Sequence, residues 1–93
     1  MLKLKVFTAE WCGPCKVLKE NLTKLWEEKS LGDRIEWETV DVDKNPDVAL
    51  SYGVSSLPTL IIDNGKVVLD MLVGNYPVNK VYRFIMKNIN NGD

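Results

Sequence analysis

Two cysteines, Cys12 and Cys15, stand where the sequence changes its period, and that junction restricts the fold more than any other feature of the chain. Ahead of them Leu2, Leu4 and Val6 alternate with Lys3 and Lys5, the pattern of a strand over Leu2–Phe7 with one solvated face. Behind them Leu18, Leu22, Leu25 and Trp26 recur at intervals of three and four, which marks one face of a helix. Pro14 fits the first turn of that helix, where a missing N–H costs little, so the helix is expected to begin at or near Cys12.

The rest of the chain continues the alternation of strand and helix. Gly32-Asp33 breaks the helical pattern, and Ile35–Asp41 reads as a second strand with Trp37, Val40 and Val42 as buried contributors. Asn45 before Pro46 is a good helix start and Gly53 a good stop, which gives a short helix over Pro46–Tyr52. Thr59–Ile62, the turn Asp63-Asn64-Gly65-Lys66 and Val67–Val73 form a β-hairpin, because Asn-Gly tolerates the positive φ such turns require. Val78, Val81, Tyr82, Ile85 and Ile89 mark a closing amphipathic helix, and Asn90–Asp93 reads as a frayed tail. The expected fold is α/β, in the order β-α-β-α-β-β-α, with a mixed four-stranded sheet flanked by helices.

At 93 residues the chain fits a single domain over residues 1–93. The 12 Lys and Arg residues are scattered and the formal net charge is −1, so no nucleic-acid partner is expected. No apolar run approaches the roughly 20 residues a bilayer crossing needs, so no membrane partner is expected either. Met1–Phe7 lacks the apolar centre and cleavage site of a secretory signal, which places the mature chain in the cytoplasm as an expectation. There is no histidine, which removes nucleophilic mechanisms that pair Cys or Ser with His. Two cysteines also fall short of the four Cys or His ligands of a structural zinc site, so no metal is expected.

What remains is the sulfur chemistry of the pair itself. Cys12 lies where unpaired backbone N–H groups and the positive end of the helix dipole favour a negative sulfur, which makes it the candidate nucleophile. Cys15, one turn further in, is the candidate resolving thiol, able to attack a mixed disulfide formed at Cys12. The alternative is an inert structural disulfide. A ring this small supplies only about 2 kcal/mol by chain entropy, a poor staple for a domain with 45% hydrophobic residues.

Trp11-Cys12-Gly13-Pro14-Cys15-Lys16 resembles the active-site signature of the thioredoxin family, and Ala9-Glu10 extends the match. Ser55-Ser56-Leu57-Pro58-Thr59 resembles the family's loop before its third core strand, and Asp63-Asn64-Gly65 and Val73-Gly74 match its hairpin and groove glycines. The resemblance implies the thioredoxin fold, a cis Pro58 facing the cysteines, and backbone hydrogen bonds from Leu57 to an extended substrate. It implies a docking surface of Trp11, Val42, Leu57, Pro58, Val73 and Gly74, with Gly13 and Pro14 completing the motif. Trp11, Val42 and Val73 also admit a plain reading as core side chains, and Trp26 and Trp37 match no site position. It further implies protein disulfide reduction without a cofactor beyond the Cys12-Cys15 disulfide, a monomer, disulfide-containing client proteins and a thioredoxin reductase-like electron donor.

The departures matter as much. Full-length thioredoxins carry a further strand and helix ahead of the first strand seen here, so the chain resembles a trimmed version close in size to glutaredoxins. Val6 stands where the family buries an aspartate that takes the proton of the resolving thiol, Thr39 where its lysine partner falls, and Thr8 where a tryptophan is common. Water or Glu10 then become candidate proton acceptors for Cys15. Two other functions stay open: a glutathione-dependent glutaredoxin-like reductase, and a non-catalytic subunit of a larger assembly. Ser56-Leu57-Pro58 and Gly74-Asn75-Tyr76 lack the usual glutathione-pocket residues, which favours a protein reductant.

Overall fold

A computed structural model describes residues 1–91 and, at Asn91, the backbone only. Its elements are β1 (Leu2–Thr8), α1 (Gly13–Glu28), β2 (Ile35–Asp41), α2 (Pro46–Ser51), β3 (Thr59–Asp63), β4 (Val68–Val73) and α3 (Val78–Asn91). The strands form one sheet in the order β2-β1-β3-β4, with β1 and β2 parallel and the other two pairings antiparallel. The mixed sheet and the order of elements are those expected.

Strand period decides which helix each side chain meets. Leu4, Val6, Leu60 and Ile62 point to one face and join Leu18, Leu22 and Leu25 of α1 and Val81, Phe84, Ile85 and Ile89 of α3 in the main core. Phe7, Val40 and Ile61 point to the other face, where Ala49 of α2 covers them and the Tyr52 ring lies 5.5 Å from that of Phe7. β1 therefore has two covered faces at its C-terminal end, not one solvated face as its first residues suggest. The amide of buried Asn88 donates to Asp70 Oδ2 at 3.0 Å and to the Phe84 carbonyl at 2.9 Å, tying α3 to β4.

Several local expectations shift. Gly32-Asp33 does not simply break the chain: Leu31–Asp33 is a 3-10 turn that drives Leu31 into the core. Trp37 is half-buried on edge strand β2, its ring 5.9 Å from Trp26, whose indole N–H donates to the Ile35 carbonyl at 3.0 Å. Ile35 takes the buried place expected of Trp37. Asn45 does not cap α2 through its side chain, which donates to the Asp41 carbonyl instead. Val78 is exposed and Phe84 replaces it in the core. The helix continues through Asn90 and Asn91, and the rest of the expected tail, Gly92-Asp93, lies outside the described residues.

Below Phe7 the α2 face of the sheet turns ionic. The register sets Lys3 beside Glu36 and Asp63, and Lys5 beside Glu38 and Ile61. Lys5 Nζ lies 3.0 Å from Asp63 Oδ2 and 3.8 Å from Glu38, and Lys3 Nζ lies 3.3 Å from Glu38. Burial is the largest single influence on Lys5 and on Asp63 and works against both charges, but the hydrogen bond and attraction between them, with smaller help from their neighbours, together outweigh it. The Asp63 carboxyl falls below its ordinary range, helped by the Gly65 amide, and the Lys5 ammonium rises above its own. A lowered carboxyl stabilises the fold above its ordinary range and stops doing so as pH falls through the folded value; a raised ammonium does so below its ordinary range and stops as pH rises through the folded value. The pair therefore supports the fold between about pH 5 and pH 10. Asp63→Asn is expected to cost about 2 kcal/mol in urea unfolding at pH 7, with the difference from wild type shrinking towards zero at acid pH.

Candidate redox site

The loop between β1 and α1 is short and tied. The Cys12 amide donates to the Ala9 carbonyl at 3.1 Å, which turns the chain upward off the end of β1. Cys12 then has extended backbone (φ −90°, ψ 100°) and serves as the N-cap of α1, with Pro14 in the first turn. Its sulfur accepts the Cys15 amide at 3.3 Å, so a sulfur occupies the place that a Ser or Asp oxygen usually fills. No acidic side chain lies in that first turn, leaving Cys12 as its anion in waiting.

Cys12 and Cys15 are joined as a disulfide with their Cα atoms 5.3 Å apart. Cys15 is fully buried and Cys12 nearly so, at 0% and 5% exposure. Their apolar companions are Ala9, Val42 and Leu57. Val42 arrives because its amide donates to the Thr8 carbonyl at 2.9 Å, carrying the β1-β2 pairing one residue past the strands. Leu57 arrives on the loop before β3, where the Leu57-Pro58 bond is cis, as the family resemblance implies, and Pro58 is buried. Thr59 steadies that loop by donating to the Ser56 carbonyl at 2.6 Å.

Gly74 is tied to this loop. Its amide donates to the Pro58 carbonyl at 2.9 Å, and its φ of +112° is one a side chain rarely adopts; a Cβ there would also meet the Tyr76 ring at 3.5 Å. Val73 sits beside Thr59 in the register, 45% exposed, and is not among the side chains packed on the cysteines. Trp11 is not a core aromatic: it is 70% exposed, and its indole N–H donates to Asp43 Oδ2 at 2.8 Å. Asp43 escaped the sequence reading, although its place just after Val42 is a signal that could have found it. The register pairs Val6 with Thr39, and neither brings a charge to Cys15. Glu10, a candidate proton acceptor, is exposed and lies 3.6 Å from Lys44. Among the described residues, no group of three or more Cys, Asp or Glu is placed to hold a metal ion.

Comparison with known proteins agrees with this geometry. The family model described as Thioredoxin matches residues 2–87. The thioredoxin of Listeria monocytogenes is 35% identical over 88 residues, covering 95% of this chain and 84% of that protein. Thioredoxin-T of Drosophila melanogaster is 43% identical over 68 residues, 73% of this chain, and the matched stretch makes up 42% of that longer protein. The X-ray structure of Fasciola hepatica thioredoxin superimposes with a TM-score of 0.82 at 29% identity, covering 92% of this chain and 79% of that one.

The difference in burial and the helix-end position of Cys12 predict unequal reactivity once the disulfide is reduced. Iodoacetamide at neutral pH is expected to label Cys12 at least about tenfold faster than Cys15, read by peptide mass spectrometry over time. Equal labelling rates would contradict the placement of the anion at Cys12.

Proposed function

The chain belongs to the thioredoxin family and is a thiol-disulfide oxidoreductase whose redox group is the Cys12-Cys15 disulfide, and from that premise we propose that it works as a reductant of protein disulfides. The observation that carries this reading is the Cys12 sulfur at the start of α1, accepting the Cys15 amide and with no acidic competitor in that turn. A thiolate there is stabilised by the helix end and stays nucleophilic at neutral pH.

Cys12 as thiolate attacks one sulfur of a client disulfide; that S–S bond breaks and the departing client sulfur takes up a proton. Cys15 then gives up its proton and attacks the Cys12 sulfur. The mixed disulfide breaks, the second client thiol leaves protonated, and the two electrons of the dithiol have passed to the client. The Cys12-Cys15 disulfide must then be reduced again, for which a thioredoxin reductase-like donor is the partner we assign.

The same proposal gives the surrounding residues roles. The client segment lies extended against the Leu57-Pro58 backbone, with Trp11, Val42, Val73 and Gly74 contacting its side chains. Gly13 and Pro14 keep the first turn free of side chains that would crowd it. The Gly-Pro pair between the cysteines supports the reducing direction, which fits a monomer acting in the cytoplasm.

Insulin reduction coupled to NADPH tests the reading. Turnover is expected with a thioredoxin reductase as donor and not with glutathione and its reductase, and Cys12→Ser is expected to abolish it. Full turnover by Cys12→Ser, or regeneration by glutathione alone, would overturn the mechanism or the donor respectively.

A further inference from the structure

Thr8 ends β1 with its side chain on the same face as Val6, the face that α1 covers. It is 96% buried by its 4% exposure, and its Oγ1 has no hydrogen-bond partner among the described residues. A buried hydroxyl left unpaired costs roughly 1–3 kcal/mol, so its persistence calls for a reason. Parallel β1 and β2 are joined through α1, which must run back antiparallel to them. Val6 meets the helix in the cluster that holds Leu18 and Leu22. Moving up β1 from Val6 to Thr8 covers about 7 Å, and moving back along α1 from Leu18 to Cys15 covers about 4.5 Å in the same direction. Both steps lead to the same end of the sheet, where Ala9 and Val42 pack against the cysteines and the Thr8 carbonyl accepts the Val42 amide, so Thr8 lies at the Cys15 end of α1.

Resting on the oxidoreductase reading above, we propose that the Thr8 hydroxyl is a positioning residue for Cys15: unpaired while the disulfide is closed, it donates a hydrogen bond to the Cys15 sulfur once the disulfide opens. In the resolving step the Cys15 proton leaves to solvent while Thr8 keeps its own and stabilises the anion that attacks Cys12. The surroundings leave this task to Thr8. The hydrophobic side chains packed with Cys12 and Cys15 are Ala9, Val42 and Leu57, none of which can bond a sulfur anion. The charged residues of neighbouring segments are engaged or exposed: Glu10 with Lys44, Asp43 with the Trp11 indole, Asp41 with the Asp43 and Lys44 amides, and Lys16 in solvent.

Because the hydroxyl is unsatisfied only in the oxidised form, it favours the dithiol and makes the protein a milder reductant than its apolar isostere. In the full chain, Thr8→Val is expected to leave the oxidised form at least as stable in urea. It should shift the potential against thiol buffers by about 30 mV to the negative, the equivalent of a tenfold change, and raise the midpoint of the resolving step's pH profile by about one unit. Thr8→Ser should restore both. A potential unchanged in Thr8→Val, or shifted equally in Thr8→Ser, would overturn the proposal, and Thr8→Ala carries the same reading should the valine fail to fold. Thiol buffers involve neither client nor reductase, so a failure of insulin turnover in the wild type is a separate result.

Discussion

A sulfur capping a helix is the interaction on which the rest of this molecule depends. The first amides of α1 have no carbonyl partners within the helix, and one of them, that of Cys15, points at the Cys12 sulfur. The helix start is held still because β1, which leads into it, is paired on both sides, by β2 and by β3. A four-strand sheet thus supplies a fixed base, and the Ala9–Cys12 turn transmits that position to the sulfur with little slack. Moving Cys12 out of the N-cap position would remove the amides and the dipole together.

The other wall comes from far along the chain. Leu57 meets the cysteines only because β3 pairs with β1, and the pairing of β4 with β3 ties Gly74 to that loop, its amide closing onto the Pro58 carbonyl. Asp43 turns Trp11 from a loose surface ring into an anchored one. In the proposed function this apolar surface is where an extended client chain would lie, and an exposed aromatic at its rim would supply contact area at low entropic cost.

At the opposite end of the sheet the same strands solve a different problem. The α2 helix is six residues long and covers Phe7, Val40 and Ile61 but not the sheet below them. There Lys3, Lys5, Glu36, Glu38 and Asp63 replace apolar side chains, and charged residues on edge strand β2 also discourage pairing with another chain. The face is apolar where a helix covers it and ionic where solvent does.

Strand and helix periods, the Cys-Gly-Pro-Cys junction and the Asn-Gly turn are encoded within a few residues each, and so the order of elements, the sheet and the two cysteines were legible in the linear chain. Where local pattern misled, packing had overridden it: Leu31 enters the core through a 3-10 turn and Phe84 displaces Val78. The Trp11–Asp43 bond, the Lys5–Asp63 pair and the isolated Thr8 hydroxyl join or separate groups through strand register and helix placement, across up to 58 positions in the Lys5–Asp63 case. The amino-acid order by itself determined the chemistry and the scaffold, because backbone preference and hydrophobic period are short-range. Only the folded structure decided which polar groups find partners, because that depends on which distant segments burial brings to the same level of the sheet.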